Sequence, residues 1–241
     1  MSIQSKSMTK KFINLPNIKI TSGTMEAVKW LALLSMTIDH ANRFFFNMAY
    51  YSAYCAGRLA MPLFAFILAY NLAQPGTFER GLYSRVLIRL LIFGVLATPA
   101  YMAMRHLQGL YPLNIMFSLA ASTAALYYYE EGGGVNKSIS LFIILLGGLF
   151  AEYDWVGIIF CIASWSYCRK PSIQSLLACI VAYMLLDLIN NNYWALLTIP
   201  IILLATKIDL RIPRIRYLFY VYYPLHLSVL YLLKKGVDYL S

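Results

Sequence analysis

Charged side chains are scarce in this sequence of 241 residues: 12% are Asp, Glu, Lys or Arg, whereas 61% are hydrophobic. Soluble domains carry about 25% charged residues, and a charged fraction this low therefore excludes a fully water-facing surface. We therefore expect an all-α polytopic membrane protein with much of its surface in the lipid bilayer. The formal net charge of +10 suits the cytoplasmic loops of such a protein, and nucleic-acid binding is not expected.

Several motifs that define soluble enzyme classes are also absent: the sequence has no P-loop, no G-x-G-x-x-G and no G-x-S-x-G. The three histidines lie far apart along the chain, so no metal site is expected. No short apolar segment with a small-residue cleavage site opens the sequence, and no removable signal peptide is expected. The four cysteines form no C-x-x-C pair, which is typical of small buried hydrophobes; they are Cys55, Cys161, Cys168 and Cys179.

Apolar segments of membrane-helix length recur along the chain. A membrane helix needs about 20 mostly apolar residues, and turn-forming clusters such as Gln74-Pro75-Gly76 separate the segments. The fifth, sixth and eighth segments are short, so they are expected to be thin spans or parts of a broken, re-entrant hairpin. The nine predicted spans are Ala27–Phe46, Cys55–Ala73, Val86–Met104, Leu113–Tyr129, Ile139–Ala151, Trp155–Tyr167, Ile173–Ile189, Tyr193–Thr206 and Tyr217–Leu233.

Lys and Arg are unevenly distributed between alternate connections. Most of them fall on the side of the N-terminal tail, whereas Arg105, Lys234 and Lys235 fall on the other side. The positive-inside rule then predicts a cytoplasmic N-terminus and a periplasmic C-terminus in a bacterial inner membrane. We expect residues 1–25 to be a basic cytoplasmic tail and residues 26–241 a single transmembrane domain.

Polar side chains inside the apolar runs are the most informative residues, because each ionisable group costs a few kcal/mol in lipid. The first span carries Asp39, His40, Asn42 and Arg43. Asp39 and Arg43 are spaced i, i+4, so they are expected to pair on one helix face. When the spans alternate in direction, further polar residues reach the outer half or the middle of the bilayer: Arg58, Asn114, Glu152, Tyr153, Asp154, Asp187 and His226.

This polar cluster favours acid–base chemistry. A histidine beside a carboxylate is the commonest general base, and an arginine such as Arg58 stabilises a developing oxyanion. Two other functions remain open: intramembrane Asp and His also serve in proton-coupled transporters, and the cluster could belong to an inactive assembly scaffold. The acidic residues that could orient His40 are Asp39, Glu152, Asp154 and Asp187.

Five motifs together resemble the TraX family: Met36–Asn42 (MTIDHAN), Gly57–Phe66 (GRLAMPLFAF), Asn114–Phe117 (NIMF), Tyr153–Gly157 (YDWVG) and Tyr223–Leu227 (YPLHL). The first two motifs are the more specific, and the match extends from the first predicted helix to the last. The last helix also resembles the broader acyltransferase-3 group, whose members transfer acyl groups from cytoplasmic coenzyme A to acceptors across the membrane.

The name-giving member of the TraX family acetylates the N-terminus of an F-type conjugative pilin. The resemblance therefore implies acetyl-CoA as the donor and the α-amine of a processed pilin subunit as the acceptor; a sugar hydroxyl is the alternative acceptor. The expected mechanism is direct transfer with His40, Asp39 and Arg58 as catalytic residues, and an acetyl-His intermediate is the alternative. Expected supporting residues are Asn42, Arg43, Asn114, Glu152, Tyr153, Asp154, Asp187 and His226.

A basic inner mouth is expected to bind the phosphates of coenzyme A. Arg85 and Arg89 are spaced i, i+4 at the start of the third span, and Arg211, Arg214 and Arg216 lie on the same side of the membrane. The positive-inside rule explains the same arginines without a ligand. The sequence gives no indication of the oligomeric state.

Overall fold

The computed structural model describes residues 15–240, and all regular elements in that range are helical. Leu113 and Ala151 form an isolated bridge between two chain segments. A short 3₁₀ turn, Trp194–Leu197, precedes the ninth α-helix. The helices are α1 (Ser22–Phe45), α2 (Tyr51–Gly57), α3 (Ala60–Ala73), α4 (Leu82–Arg105), α5 (Ile115–Glu131), α6 (Gly134–Phe150), α7 (Asp154–Arg169), α8 (Ile173–Asn190), α9 (Thr198–Ala205) and α10 (Leu218–Leu240).

Helical structure occurs at each of the nine predicted spans. Three segments, Tyr51–Ala73, Leu82–Arg105 and Ile173–Asn190, are long and apolar enough to cross a membrane. A helix of 24 residues such as α1 is about 36 Å long. Large apolar side chains are exposed along several helices, as expected of surfaces that face lipid; examples are Leu91, Val95, Leu141, Phe142, Met184 and Leu188. The nine crossings and their orientation remain predictions.

The second predicted span is two helices, not one. Helix begins at Tyr51 instead of Cys55, and it is interrupted at Arg58 between α2 and α3. Pro62 has no N–H to donate to the carbonyl four residues earlier, which favours a break at that point. At Gly57 an added Cβ would clash with the side chain of Asp39. The break and the glycine together bring Arg58 against α1.

The predicted basic tail is only partly described, because Lys6, Lys10 and Lys11 lie outside the described residues. Helix α1 begins at Ser22, five residues before the predicted span. Just before it, the Ile20 amide donates to the Tyr70 hydroxyl over 2.9 Å, and that hydroxyl donates to the Ile20 carbonyl over 3.1 Å. The packed part of the chain therefore starts ahead of the predicted boundary at residue 26.

Two ends of the helix bundle bring polar residues together. Helix α1 packs against α2, α3 and α10, and α4 packs between α5 and α10. At one end, the C-termini of α1, α4 and α8 meet the junction of α2 with α3 and the turn between α6 and α7. At the other end, the start of α1 meets the end of α3 and the starts of α4 and α10. Each end contains a cavity.

Candidate active site

The histidine cavity, of about 220 Å³, lies at the end of the bundle where α1, α4 and α8 terminate. Its walls combine apolar side chains with both acidic and basic groups. The polar and ionisable residues that line it are Asp39, His40, Arg43, Arg58, Tyr101, Arg105, Glu152, Tyr153, Asn190 and Tyr223.

A buried ion pair joins α1 to the junction of α2 and α3. The Arg58 guanidinium donates from Nη2 to both oxygens of Asp39, over 3.1 and 3.2 Å, and from Nη1 to Asn190 Oδ1 over 3.2 Å. It also lies 4.5 Å from the centre of the Tyr54 ring. Its Nε is buried and has no hydrogen-bond partner among residues 15–240. The expected pair of Asp39 with Arg43 is not formed within this range.

A second ion pair lines the same cavity. Arg105, the last residue of α4, contacts the Glu152 carboxylate in the turn between α6 and α7 and donates to the Tyr101 hydroxyl over 3.1 Å. Removal from solvent raises the pKa of Tyr153, in the same turn, to about 12, so its phenol stays neutral at physiological pH. Arg105 was not predicted from the sequence as a site residue. Its charge, opposite to that of Glu152 and at the same predicted depth, was the available signal.

The histidines of α1 and α10, His40 and His226, form a hydrogen-bonded pair. His40 Nδ1 lies 2.8 Å from His226 Nε2, and the two ring planes are 6° apart. His226 Nδ1 lies 3.0 Å from the Tyr222 carbonyl oxygen. The partner that orients His40 is therefore His226 on α10, not one of the acidic residues expected from the sequence. His40 lines the cavity and His226 does not, so His226 lies behind it.

Several expected supporting residues lie outside the cavity lining. The Asn42 side chain bonds the Tyr50 amide and carbonyl over 3.1 and 2.8 Å, which closes the turn between α1 and α2. Asn114 caps α5 by accepting from the Met116 amide over 3.1 Å, and its amide donates to the Gly94 carbonyl over 3.0 Å. Because these amides have local backbone partners, neither supports the predicted contact with substrate.

Two acidic residues expected near His40 are also placed elsewhere. Asp154 is exposed at the start of α7. Asp187 is buried near the end of α8, and its Oδ1 has no hydrogen-bond partner within the described range. Neither residue lines the histidine cavity.

The basic cavity, of about 430 Å³, lies at the opposite end of the bundle. Four of the five arginines predicted to bind phosphate line it, but Arg211 does not. The Arg89 and Arg216 guanidinium groups lie 4.9 and 5.4 Å from the centre of the Tyr217 ring. Within the part of the chain that the structure describes, no Asp or Glu lines this cavity. The cations that line it are Lys29, Arg80, Arg85, Arg89, Arg214 and Arg216.

The two cavities adjoin. Four residues, Met36, Phe64, Ile115 and Tyr223, line both of them. We call these four residues the neck. Three are apolar and the fourth carries a hydroxyl, so the neck separates two polar compartments with a mainly apolar wall.

The described histidines, cysteines and carboxylates contain no group of three or more that could hold a metal ion. The side chains that line the two cavities can bind an anion at one end of the bundle and accept a proton at the other.

These features define a helical protein with membrane-length helices that encloses two adjoining cavities, one basic and one with a histidine pair. The chain belongs to the TraX family, because the family described as "TraX protein" matches residues 24–234. The matched range contains every residue that lines either cavity. The resemblance predicted from the five sequence motifs is thus confirmed.

Two curated relatives are similar over most of their length. A protein of Dichelobacter nodosus, "Probable fimbrial assembly protein FimC, serogroup H1", is 25% identical over 231 residues, which cover 84% of this chain and 92% of the relative. "Protein TraX" of Escherichia coli is 27% identical over 225 residues, which cover 86% of each chain. A comparison with solved structures found no match.

Proposed function

We propose that the protein is a membrane-embedded acetyltransferase that transfers acetyl from cytoplasmic acetyl-CoA to the N-terminal amine of a pilin subunit. The observation that carries this proposal is the neck, which places a basic cavity next to a cavity with a histidine base. Membership of the TraX family and similarity to a fimbrial assembly protein support a pilus-related acceptor.

The basic cavity suits the nucleotide end of coenzyme A. A diphosphate and a phosphomonoester, the latter with a charge of about −1.5 to −2, match the five arginines of the lining, whereas Lys29 is already paired with Glu26 over 2.6 Å. Guanidinium groups bind phosphate oxygens through paired N–H donors. The volume of about 430 Å³ lies within the range of small-molecule pockets, about 300–1,000 Å³.

The thioester is then proposed to lie at the neck, with the flexible arm of coenzyme A extending from the basic cavity. The acceptor enters the histidine cavity from the opposite end. This arrangement holds the two reactants in one geometry, which lowers the entropic part of the barrier. It also explains why a cytoplasmic donor reaches an acceptor that is exposed on the other face of the membrane.

In the proposed reaction, the uncharged amine attacks the thioester carbonyl while His40 Nε2 takes a proton from the attacking nitrogen. An α-amine has a reference pKa of about 7.7–8.0, so a substantial fraction is already neutral. The Arg58 guanidinium is the proposed donor to the oxyanion. The carbon–sulfur bond breaks as the C–N amide bond forms, and the proton on His40 passes to the departing thiolate of coenzyme A.

An acetyl-His40 intermediate is the two-step alternative, in which His40 Nε2 attacks the thioester and the amine then attacks the acyl group. The two mechanisms predict different kinetics. The two-step mechanism releases coenzyme A thiol in a burst before the acceptor is added, whereas direct transfer requires the acceptor.

A proton-coupled transporter is the second candidate. The adjoining cavities favour it because a transporter needs polar groups toward both faces. The neck argues for the enzyme. Met36, Phe64 and Ile115 present an apolar wall between the two cavities, which suits the alkyl part of a thioester arm better than a chain of waters.

The test uses the purified protein in nanodiscs with acetyl-CoA and a synthetic pilin N-terminal peptide. We expect the wild-type protein to add one acetyl group to the peptide, measured by mass spectrometry, with one equivalent of thiol released. The same peptide with a blocked amine should not react. Release of thiol without an acetylated peptide would mean that the pilin amine is not the acceptor and would favour another one, such as a sugar hydroxyl. No release of thiol at all would contradict the proposal.

A further inference from the structure

We infer that His226 is a positioning residue that holds His40 in the tautomer with an unprotonated Nε2, so that this nitrogen is the available base. The inference rests on the proposed function for its effect on catalysis. The protonation pattern itself follows from hydrogen bonds between residues of this chain, so it is measurable whether or not the reaction is the proposed one.

The carbonyl oxygen of Tyr222 determines which nitrogen of His226 carries the hydrogen. A carbonyl only accepts hydrogen bonds, so His226 Nδ1, 3.0 Å away, carries the hydrogen. In a neutral imidazole the other nitrogen then has a lone pair. His226 Nε2 is therefore an acceptor.

The contact between the two rings then determines which nitrogen of His40 carries the hydrogen. His226 Nε2 lies 2.8 Å from His40 Nδ1, and since His226 accepts, His40 Nδ1 must donate. Neutral His40 is then left with a lone pair on Nε2. Of the two histidines, His40 alone lines the cavity, so its unprotonated nitrogen belongs to the ring that an acceptor can reach.

The position of His226 is itself constrained from two directions. The Tyr222 ring lies nearly parallel to the His226 ring, with centroids 5.3 Å apart and planes 12° apart. The Tyr222 hydroxyl donates to the Thr37 hydroxyl over 2.8 Å, since Thr37 itself donates to the Leu33 carbonyl. This second polar contact joins α10 to α1 one turn from the histidine pair, so the His40–His226 hydrogen bond does not depend on a single contact.

A neutral partner has a different chemical effect from a carboxylate. A carboxylate beside His40 would stabilise the charged imidazolium, whereas a neutral imidazole orients the ring while favouring the cation less. The nearest carboxylate on the same helix, Asp39, is instead bound to Arg58. A neutral side chain, and not a charged one, thus orients His40.

The protonation pattern can be measured by nitrogen NMR. The chain has three histidines, and His106→Asn, at an exposed site with a positive φ of 54° that asparagine tolerates, leaves only the pair. In protein labelled with ¹⁵N-histidine and held in bilayers, we expect both rings to be neutral with protonated Nδ1 and unprotonated Nε2. A His40 ring protonated on Nε2 would overturn the inference, even in an active enzyme.

Two variants separate hydrogen bonding from packing. His226→Gln keeps a side-chain carbonyl that can accept from His40 Nδ1, whereas His226→Phe keeps a ring without an acceptor. We expect kcat to fall less than about tenfold in the first variant and roughly 10²-fold or more in the second, with KM unchanged, because losing the orienting partner leaves the wrong tautomer. Ser228→Ala, which removes a hydroxyl from the same helix, is the control and should retain full activity.

Equal activity of His226→Phe and the wild-type protein would overturn the role of His226. So would equal losses in the Gln and Phe variants when both retain wild-type folding in detergent, since packing alone would then explain the effect. If the wild-type protein transfers no acetyl group, the proposed function fails, and the NMR result alone decides the hydrogen-bond pattern.

Discussion

The two cavities differ in how their charged side chains are paired. In the histidine cavity, Asp39 is bound to Arg58 and Glu152 is bound to Arg105. In the basic cavity no carboxylate lines the wall among residues 15–240, and arginines such as Arg85 are exposed. A charge held inside a bundle needs a partner, whereas an exposed group of cations remains available to an anionic ligand. Under the proposed function, the first cavity is thus organised before a substrate arrives, and the second reaches charge balance by binding the anionic donor.

The largest effect is expected at the base of the organised cavity. His40→Ala should lower the rate of acetyl transfer by roughly 10²- to 10⁴-fold, the range for loss of a general base. The rate is measured with acetyl-CoA and the pilin peptide, and His106→Asn, which changes a histidine outside both cavities, should be active. Full acetylation by His40→Ala would remove His40 from the mechanism.

Substitution of the two kinds of arginine should affect stability unequally. Arg58→Ala leaves the Asp39 carboxylate without its partner and should lower the free energy of unfolding by about 3–5 kcal/mol. Arg85→Ala at the exposed mouth should change it by less than about 0.5 kcal/mol. Unfolding in detergent, followed by circular dichroism, measures both. Equal stabilities for the two variants would show that the charges of the two cavities do not differ as the structure suggests.

The basic cavity should instead affect the affinity for the donor. Arg85→Ala and Arg89→Ala should each raise the KM for acetyl-CoA roughly 10- to 150-fold with little change in kcat, because a lost hydrogen bond to a charged group costs about 1.5–3 kcal/mol. Arg211→Ala is the matched control, since this arginine does not line the cavity. A similar rise in KM for the control would mean that only the general positive charge of this face matters.

The smallest effect is expected at the boundary between the cavities. Tyr223→Phe removes one neutral hydroxyl from the neck and keeps the ring, so kcat should fall by about tenfold or less, the effect of one neutral hydrogen bond, while the KM for acetyl-CoA stays the same. Initial rates at varied acetyl-CoA separate the two parameters. Tyr220→Phe, which changes a residue that lines the basic cavity alone, is the control, and an equal fall in its kcat would deny Tyr223 a special position.

The helices were predictable from the sequence because long apolar runs separated by turn-forming residues leave few alternatives. Because the rise along a helix is fixed, the sequence also predicted that His40, Arg58 and Glu152 lie near one end of the bundle, and all three line one cavity. Rotation about the helix axis was not predictable, because packing determines it.

Because the rotation of each helix about its axis was unknown, the partners of individual side chains were predicted wrongly. Asp39 contacts Arg58 instead of Arg43 because Gly57 lets α2 approach α1 closely, which is a tertiary contact that no spacing on α1 reveals. His226, from the far end of the chain, reaches His40 for the same kind of reason. Asn114 was predictable in principle, since Asn is a preferred residue at a helix N-cap, but its polarity was interpreted as a sign of substrate contact.

The most direct test of the two-cavity account places the donor and the acceptor on opposite sides of a membrane. The protein is reconstituted in liposomes in one orientation, checked with an N-terminal tag, and acetyl-CoA is supplied on one side and the pilin peptide on the other. We predict an acetylated peptide only when acetyl-CoA is on the side of the basic cavity and the peptide is on the side of the histidine cavity. Equal transfer with both reactants on the histidine side would contradict the account.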